Sequence, residues 1–201
     1  MGAGRNGLLH APTGTGKTLA AWFGALCRSS ALPTHDMKTG IRIIWITPLR
    51  ALATDTARAL EEPLADLTEM LGSHWQVGTR TGDTSAADRR RLRQNWPEAL
   101  ITTPESLSIL LSLEDSQEIF SDLDTVIVDE WHELLGTKRG VQTELALSRL
   151  RAIRPEVITW GLSATLANLD EAVATLVGQT RCDHARLIQA NAPRKLEFST
   201  I

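Results

Sequence analysis

A chain of 201 residues with 42% apolar and 22% charged content can bury a substantial core, which excludes a disordered chain. A net charge of −3 excludes a nucleic-acid footprint spread over the whole surface, so any such site has to be a local patch. The N-terminus carries no apolar run long enough for a signal peptide or membrane span. The two cysteines, Cys27 and Cys182, lack metal-ligand spacing and read as buried free thiols, so the expectation is a cytoplasmic protein without a membrane segment.

In chain order, residues 7–10 form a short apolar strand, Ala11-Pro12-Thr13-Gly14-Thr15-Gly16-Lys17-Thr18 follows it, and Leu19-Ala20-Ala21-Trp22-Phe23 opens a helix. Strand, Gly-rich turn ending in Lys-Thr, then helix is the context that a phosphate-binding loop requires. Gly14 and Gly16 let backbone N–H groups crowd around phosphate oxygens, and the helix N-terminus adds its own free N–H groups and positive dipole end. Residues Thr13, Gly14, Thr15, Gly16, Lys17 and Thr18 are therefore the expected nucleotide-binding set. Lys17 would reach the β- and γ-phosphates, and the Thr18 hydroxyl would ligate Mg²⁺. Ala11 stands where the strict pattern has Gly.

Residues 41–46 read as a second buried strand, ended by Thr47-Pro48. Leu49, Leu52, Thr56, Leu60, Leu64, Leu67 and Leu71 then recur at helical spacing, with Pro63 splitting or kinking the helix. Residues 75–79 are a third, weaker strand. Gly82-Asp83-Thr84 is a turn, and Thr84 or Ser85 caps a basic helix through Arg93. Residues 99–102 are a strand, 105–113 a helix, and 125–128 a continuous apolar strand of the kind buried on both faces of a parallel sheet. A helix over 140–154, a strand over 157–162, a helix capped by Asn168 through about Val177 and a last strand over 186–189 complete the pattern. Alternating strands and helices predict an α/β domain, a mostly parallel sheet with helices on both faces, over residues 1–190, with 191–201 as the start of a linker.

In such sheets ligands sit at the carboxyl ends of the strands. The segments following each strand are all polar: the phosphate loop, Thr47-Pro48-Leu49-Arg50, Arg80-Thr81-Gly82-Asp83, Thr103-Pro104-Glu105, Asp129-Glu130-Trp131-His132 and Ser163-Ala164-Thr165. Asp129, at the end of an apolar strand, stands where a Walker B carboxylate binds Mg²⁺ opposite Thr18, and Glu130 is placed to take a proton from an attacking water. His132 could bridge toward the Ser163-Ala164-Thr165 turn. Arg50, Arg80, Thr102 and Thr103 offer donors to a nucleic-acid backbone, whereas Arg89-Arg90-Arg91-Leu92-Arg93 reads as a solvated helix face. Trp45 and Trp160 lie inside strands and read as core, and Trp131 as packing.

Residues 11–18, 47–52, 103–107, 129–132 and 163–165 resemble motifs I, Ia, Ib, II and III of superfamily 2 helicases, in the right order over nearly the whole chain. Residues 129–147, with Trp131 inside the acidic motif, resemble the Lhr-like (large helicase-related) group and within it the bacterial ligase-associated DEXH-box helicases. The resemblance implies a RecA-like P-loop domain and an enzyme, an ATP-dependent helicase using ATP and Mg²⁺ to move 3′-to-5′ on single-stranded nucleic acid. DNA is favoured over RNA, with DNA repair and its proteins as setting. It assigns Lys17, Asp129 and Glu130 to catalysis and Thr18 and Asp129 to the metal. It gives nucleic-acid contact to Pro48, Arg50, Gly82, Asp83, Thr103, Pro104 and Glu105, and coupling of hydrolysis to strand movement to His132, Ser163 and Thr165. Family members carry a second RecA-like domain with arginine fingers that is not recognisable after Thr165, and both ends of the chain read as cuts. The expected partner is that C-terminal domain, and the fragment alone is expected to be weakly active or inactive. A nucleotide-responsive binding module and another P-loop NTPase are the competing readings. Lys17 together with Glu130 disfavours the first, and Ser163-Ala164-Thr165 with Thr103-Pro104-Glu105 the second.

Overall fold

The computed structural model describes residues 4–31, 40–64, 66–67 and 75–190. Seven strands alternate with helices. They are β1 (Gly7–His10), α1 (Lys17–Ala31), β2 (Ile43–Ile46), α2 (Arg50–Glu61), β3 (Val77–Arg80), α3 (Ala86–Gln94), β4 (Ala99–Thr102) and α4 (Pro104–Leu111). There follow α5 (Ser116–Ile119), β5 (Thr125–Val128), α6 (Trp131–Leu134), α7 (Lys138–Ile153), β6 (Ile158–Ser163), α8 (Leu169–Val177), a 3₁₀ turn (Gln179–His184) and β7 (Arg186–Gln189). The strands form one sheet in the order β3-β4-β2-β5-β6-β1-β7, and each neighbouring pair is parallel. The expected α/β class is the observed one.

Period-two geometry with helices on both faces explains why the central strands are buried at every position and largely apolar. Ile43, Trp45, Ala99, Ile101 and Ile127 face one layer, where α1 supplies Ala21, Trp22, Ala25 and Leu26 and α2 supplies Ala53 and Leu60. Ile44, Ile46, Leu100, Val126 and Val128 face the other, against Leu107 and Leu110 of α4, Leu147 and Leu150 of α7, and Leu176 of α8. Each of these fully buried large side chains contributes roughly 1.5–3 kcal/mol relative to exposure.

Several boundaries differ from the sequence expectation for physical reasons. Helix α2 ends at Glu61, ahead of Pro63, which lacks the N–H needed to continue it; residues 68–74, where the expected helix ran on to Leu71, lie outside the described residues. Strand β3 begins at Val77 and includes Arg80. Trp75 precedes it and packs edge-on to Trp22 at 6.4 Å between ring centroids, with the Arg42 guanidinium 5.4 Å from its ring. Ser85, not Thr84, caps α3 by accepting from the Asp88 N–H. Helix α7 starts at Lys138 and not at Gly140, because Thr137 caps it by accepting from the Gly140 N–H. Helices α5 and α6 were not anticipated from sequence pattern, each being only four residues long. Cys27, expected to be buried, is exposed on α1; Cys182 is partly buried, and both are free thiols. The linker expected over 191–201 lies outside the described residues. Among the described residues no helix is long and apolar enough to cross a membrane.

Candidate nucleotide and nucleic-acid site

All six polar segments emerge on one edge, because parallel pairing sets the strand ends side by side. Arg80, Thr102, Ile46 and Val128 are successive register partners, and His10 is partnered with Ser163. The sheet order divides that edge. The expected nucleotide and coupling residues follow β5, β6 and β1, and the expected nucleic-acid residues follow β2, β4 and β3.

The phosphate-loop half is built on β1. The Ala11 N–H donates to Ser163 O at 3.0 Å, holding the loop entrance against the end of β6. The Thr15 hydroxyl donates to Pro12 O at 2.7 Å and closes the turn. Gly14 and Gly16 both adopt φ 80°, a conformation that side chains disfavour, and a Cβ at either would have no heavy atom within 4 Å. The glycines are thus required by backbone conformation, and the space above them is open. Lys17 opens α1, is buried, and donates from Nζ to Ala11 O at 2.5 Å. Open space over two left-handed glycines, a helix N-terminus and a buried ammonium fit a polyphosphate. The Thr18 hydroxyl and the Asp129 carboxylate are the hard oxygen donors that suit Mg²⁺.

Asp129 continues from β5, its N–H donating to Ile46 O at 2.8 Å. Its Oδ2 accepts from Trp45 Nε1 at 3.2 Å and its Oδ1 from the Glu130 N–H at 2.9 Å. Burial, then the neighbouring Glu130 carboxylate, push its pKa up to about 6; the Trp45 and Glu130 hydrogen bonds and the Lys17 charge pull the other way. A carboxyl so perturbed at a strand end is a candidate functional residue. Glu130 has φ 45° and ψ 46°, the left-handed conformation, and no other non-glycine residue among those described has positive φ. That costs roughly 1–2 kcal/mol and turns the chain from strand into α6 directly at the two acids. His132 Nδ1 stands 3.4 Å from Glu130 Oε2 without a hydrogen bond of its own. Trp131 is fully buried and donates from Nε1 to Ala172 O at 3.0 Å, so it is a packing residue, as expected, and its anchor is α8. Ser163 is buried with its hydroxyl unpartnered, and Thr165 is exposed.

In the other half, Arg50 opens α2 and pairs through Nη1 with Asp83 Oδ1 at 2.8 Å, both side chains being exposed. Gly82 lies directly under that guanidinium: a Cβ there would come within 2.8 Å of Arg50 Cζ. Thr103 and Pro104 at the start of α4, and Pro48, have buried side chains, so what they can offer a ligand is backbone. Glu105 is half-buried. Desolvation acts to raise its pKa, but its own helix-terminal N–H, Thr103 and Arg139 outweigh that and hold it below the usual range.

Two donors expected to reach nucleic acid do not. Arg80 is buried and donates through Nη1 to Ser106 O at 2.8 Å and Ser106 Oγ at 2.9 Å, while Thr102 is fully buried and donates to Arg80 O at 2.8 Å. They brace β3, β4 and α4 internally. Desolvation, then Arg89 and Arg93, lower the Arg80 pKa. Sequence reading missed Arg139, on α7, which bonds both Glu105 and Pro48. Its partners lie 34 and 91 residues away, and only the tertiary fold reveals them.

The family model of DEAD/DEAH box helicases matches residues 1–172. The Lhr helicase/uracil glycosylase of Escherichia coli is 42% identical over 184 residues, covering 85% of this chain and 12% of that protein. The ATP-dependent helicase Lhr-Core of Methanothermobacter thermautotrophicus is 39% identical over 181 residues, covering 87% of this chain and 21% of that protein. The structure of Mycobacterium smegmatis helicase Lhr bound to ssDNA and AMP-PNP superposes with a TM-score of 0.84 at 36% identity, over 97% of this chain and 25% of that one. The chain thus spans an eighth to a quarter of the length of these relatives. With the motifs in place along one edge of a RecA-like sheet, the chain belongs to the DEAD/DEAH box helicase family.

Proposed function

We propose that residues 1–190 are the first RecA-like motor domain of an Lhr-type ATP-dependent helicase, that residues 191–201 lead toward a second such domain, and that the protein moves 3′-to-5′ on single-stranded DNA in DNA repair in the cytoplasm. The observation that carries this reading is the division of one sheet edge into a phosphate-binding half and a half of exposed and backbone donors, joined through β2 and β5. Likeness to a helicase bound to ssDNA and AMP-PNP supports DNA as the strand and ATP as the nucleotide. The narrower likeness of residues 129–147 to ligase-associated helicases supports the repair setting.

Bound ATP and Mg²⁺ supply the phosphoanhydride and the charge neutralisation on which hydrolysis depends. The loop N–H groups of residues 13–18 and the Lys17 ammonium would bind the phosphates, and Thr18 and Asp129 would hold the metal. Trp45 orients the Asp129 carboxylate by its hydrogen bond. Glu130 takes a proton from the attacking water at a carboxylate oxygen, with His132 beside it. Ser163 and Thr165, at the end of β6 and bonded through Ser163 O to the loop entrance, link hydrolysis to strand movement. Arginine donors to the transferring group come from the second domain, so residues 1–201 alone bind nucleotide and hydrolyse it slowly.

The test is ATPase activity of the full-length protein with and without single-stranded DNA or RNA, and of Glu130→Gln. Strand-stimulated turnover that Glu130→Gln abolishes while nucleotide still binds is expected. Absence of stimulation by either strand overturns the helicase reading. Robust stimulated turnover by residues 1–201 alone overturns the need for a second domain.

A further inference from the structure

We propose that Arg139 is a positioning residue that holds the two nucleic-acid turns, Pro48 to Arg50 and Thr103 to Glu105, at a fixed distance from the Asp129-Glu130 acids. The inference rests on the nucleic-acid reading above and deepens it.

Arg139 Nε donates to Glu105 Oε1 at 2.6 Å, and Nη1 of the same guanidinium donates to Pro48 O at 3.0 Å. One planar group thus spans the turn after β2 and the start of α4. A planar fork with fixed donors can set two partners at one distance and angle, which the single ammonium of Lys cannot.

The other end of the connection is equally fixed. Arg139 lies in the first turn of α7, which is joined to α6 by three residues. The Thr137 hydroxyl donates to Leu134 O at 2.6 Å and accepts from the Gly140 N–H at 3.1 Å, and the Thr137 N–H donates to Leu134 O at 3.0 Å. A Cβ on Gly140 would run into the Leu134 carbonyl, so α7 lies directly against the end of α6. Helix α6 begins at Trp131, next to the acids, and Trp131 is anchored in the core. The chain of contacts from Glu130 to Pro48 and Glu105 is therefore short, and α7 is capped directly against the end of α6.

Stability does not explain the arrangement. The Arg139 and Glu105 side chains are 45% and 41% exposed, and ion pairs this open add little to folding. The first turn of α7 has no acidic residue and carries Lys138 and Arg139 instead, the sign that the helix dipole disfavours. What the pair supplies is geometry.

The experiment measures ATPase of the full-length protein against single-stranded DNA concentration, for the parent, Arg139→Ala and Arg139→Lys. The expected result is a half-saturating DNA concentration raised about tenfold in both variants, as befits loss of a charge-assisted hydrogen bond at the grip, with strand-free ATPase within about twofold of the parent. A merely structural role would lower strand-free and stimulated rates in proportion and leave half-saturation unchanged, which overturns the proposal. Full rescue by Lys also overturns it, since charge alone would then suffice. If Arg139→Ala fails to fold, Arg139→Lys and Glu105→Gln, which keeps an acceptor for Nε, decide: half-saturation raised in the first and smaller change in the second supports the proposal. A parent protein that DNA and RNA both fail to stimulate instead refutes the helicase reading beneath it.

Discussion

The backbone N–H of Ala11 donates to the carbonyl oxygen of Ser163 at 3.0 Å, so the entrance of the phosphate loop and the coupling turn are one hydrogen bond apart. The same two strands bring His10 and Ser163 into register, and both His10 Nδ1 and Ser163 Oγ are buried without a hydrogen-bond partner. Buried polar atoms are normally satisfied, but these two contribute no hydrogen bond to holding the strand ends together. The backbone link between β1 and β6 does not depend on either side chain.

Ser163→Ala separates these two roles. It removes a hydroxyl that makes no bond, so the melting temperature is expected to shift by no more than about 2 °C, equivalent to about 0.5 kcal/mol. Strand stimulation of ATPase is expected to fall several-fold, with basal hydrolysis retained. Thermal melts and ATPase assays on one preparation check both. A large loss of stability would show that the hydroxyl already has a structural partner.

Asp129 supplies a pH prediction. Its folded pKa of about 6 lies above the unfolded value of 3.8, because burial and Glu130 disfavour its charge. The folded state therefore holds the proton more tightly, and stability of the metal-free protein falls as pH rises from about 4 to about 6. The full shift of about two units corresponds to ~3 kcal/mol of penalty at pH 7. Asp129→Asn removes that penalty. It is expected to stabilise the metal-free fold by about 1–3 kcal/mol at pH 7 and hardly at all at pH 4, while abolishing Mg²⁺-dependent hydrolysis. Denaturant titrations at pH 4, 5, 6 and 7 measure it, and parallel pH curves for the two proteins would contradict the assignment.

The fold was legible in the sequence, and the candidate nucleotide residues stand out there, because their signals are local. Val126-Ile127-Val128 are apolar and are followed at once by two acids, and the Gly-rich segment over residues 11–18 follows a strand directly. The nucleic-acid half was less legible because its geometry depends on contacts between distant segments. Arg80 looked like a loop donor, yet β3 extends through it and turns it inward onto Ser106. Gly140 looked like a helix start, although its absent side chain serves a close approach to Leu134. Nothing within ten residues of Arg139 announces that it bonds Pro48 and Glu105.

The Arg50–Asp83 pair predicts a binding effect with little stability effect. Its two side chains are 56% and 68% exposed, where an ion pair is worth at most about 1 kcal/mol. The guanidinium is nevertheless held over Gly82 and partly neutralised by Asp83. Arg50→Ala is expected to weaken single-strand binding and to reduce the slope of log affinity against log salt by about 0.7, one phosphate contact on a single strand. Asp83→Asn is expected to strengthen binding slightly, by freeing the same cation. Fluorescence anisotropy across a salt series distinguishes the two, and an unchanged slope in Arg50→Ala would remove Arg50 from the interface.

Gly140→Ala probes the junction that fixes α7 to the acidic motif. An added Cβ would lie 2.9 Å from the Leu134 carbonyl carbon and closer still to its oxygen, and a backbone carbonyl cannot swing aside as a long side chain can. Helix propensity alone would favour the change by up to about 1 kcal/mol, since Ala exceeds Gly in a helix interior. Overpacking against backbone costs about 1–3 kcal/mol and has the opposite sign. The expected net effect is destabilisation, with a melting temperature lower by several degrees. Gly16→Ala is the control: it has open space above it, so its cost is the roughly 1–2 kcal/mol of left-handed backbone alone, with nucleotide binding as the property lost. Thermal melts compared with nucleotide titration give the two signatures. If Gly140→Ala were neutral or stabilising, α7 would have room to move away from α6, and the rigid connection from Glu130 to Arg139 would not exist.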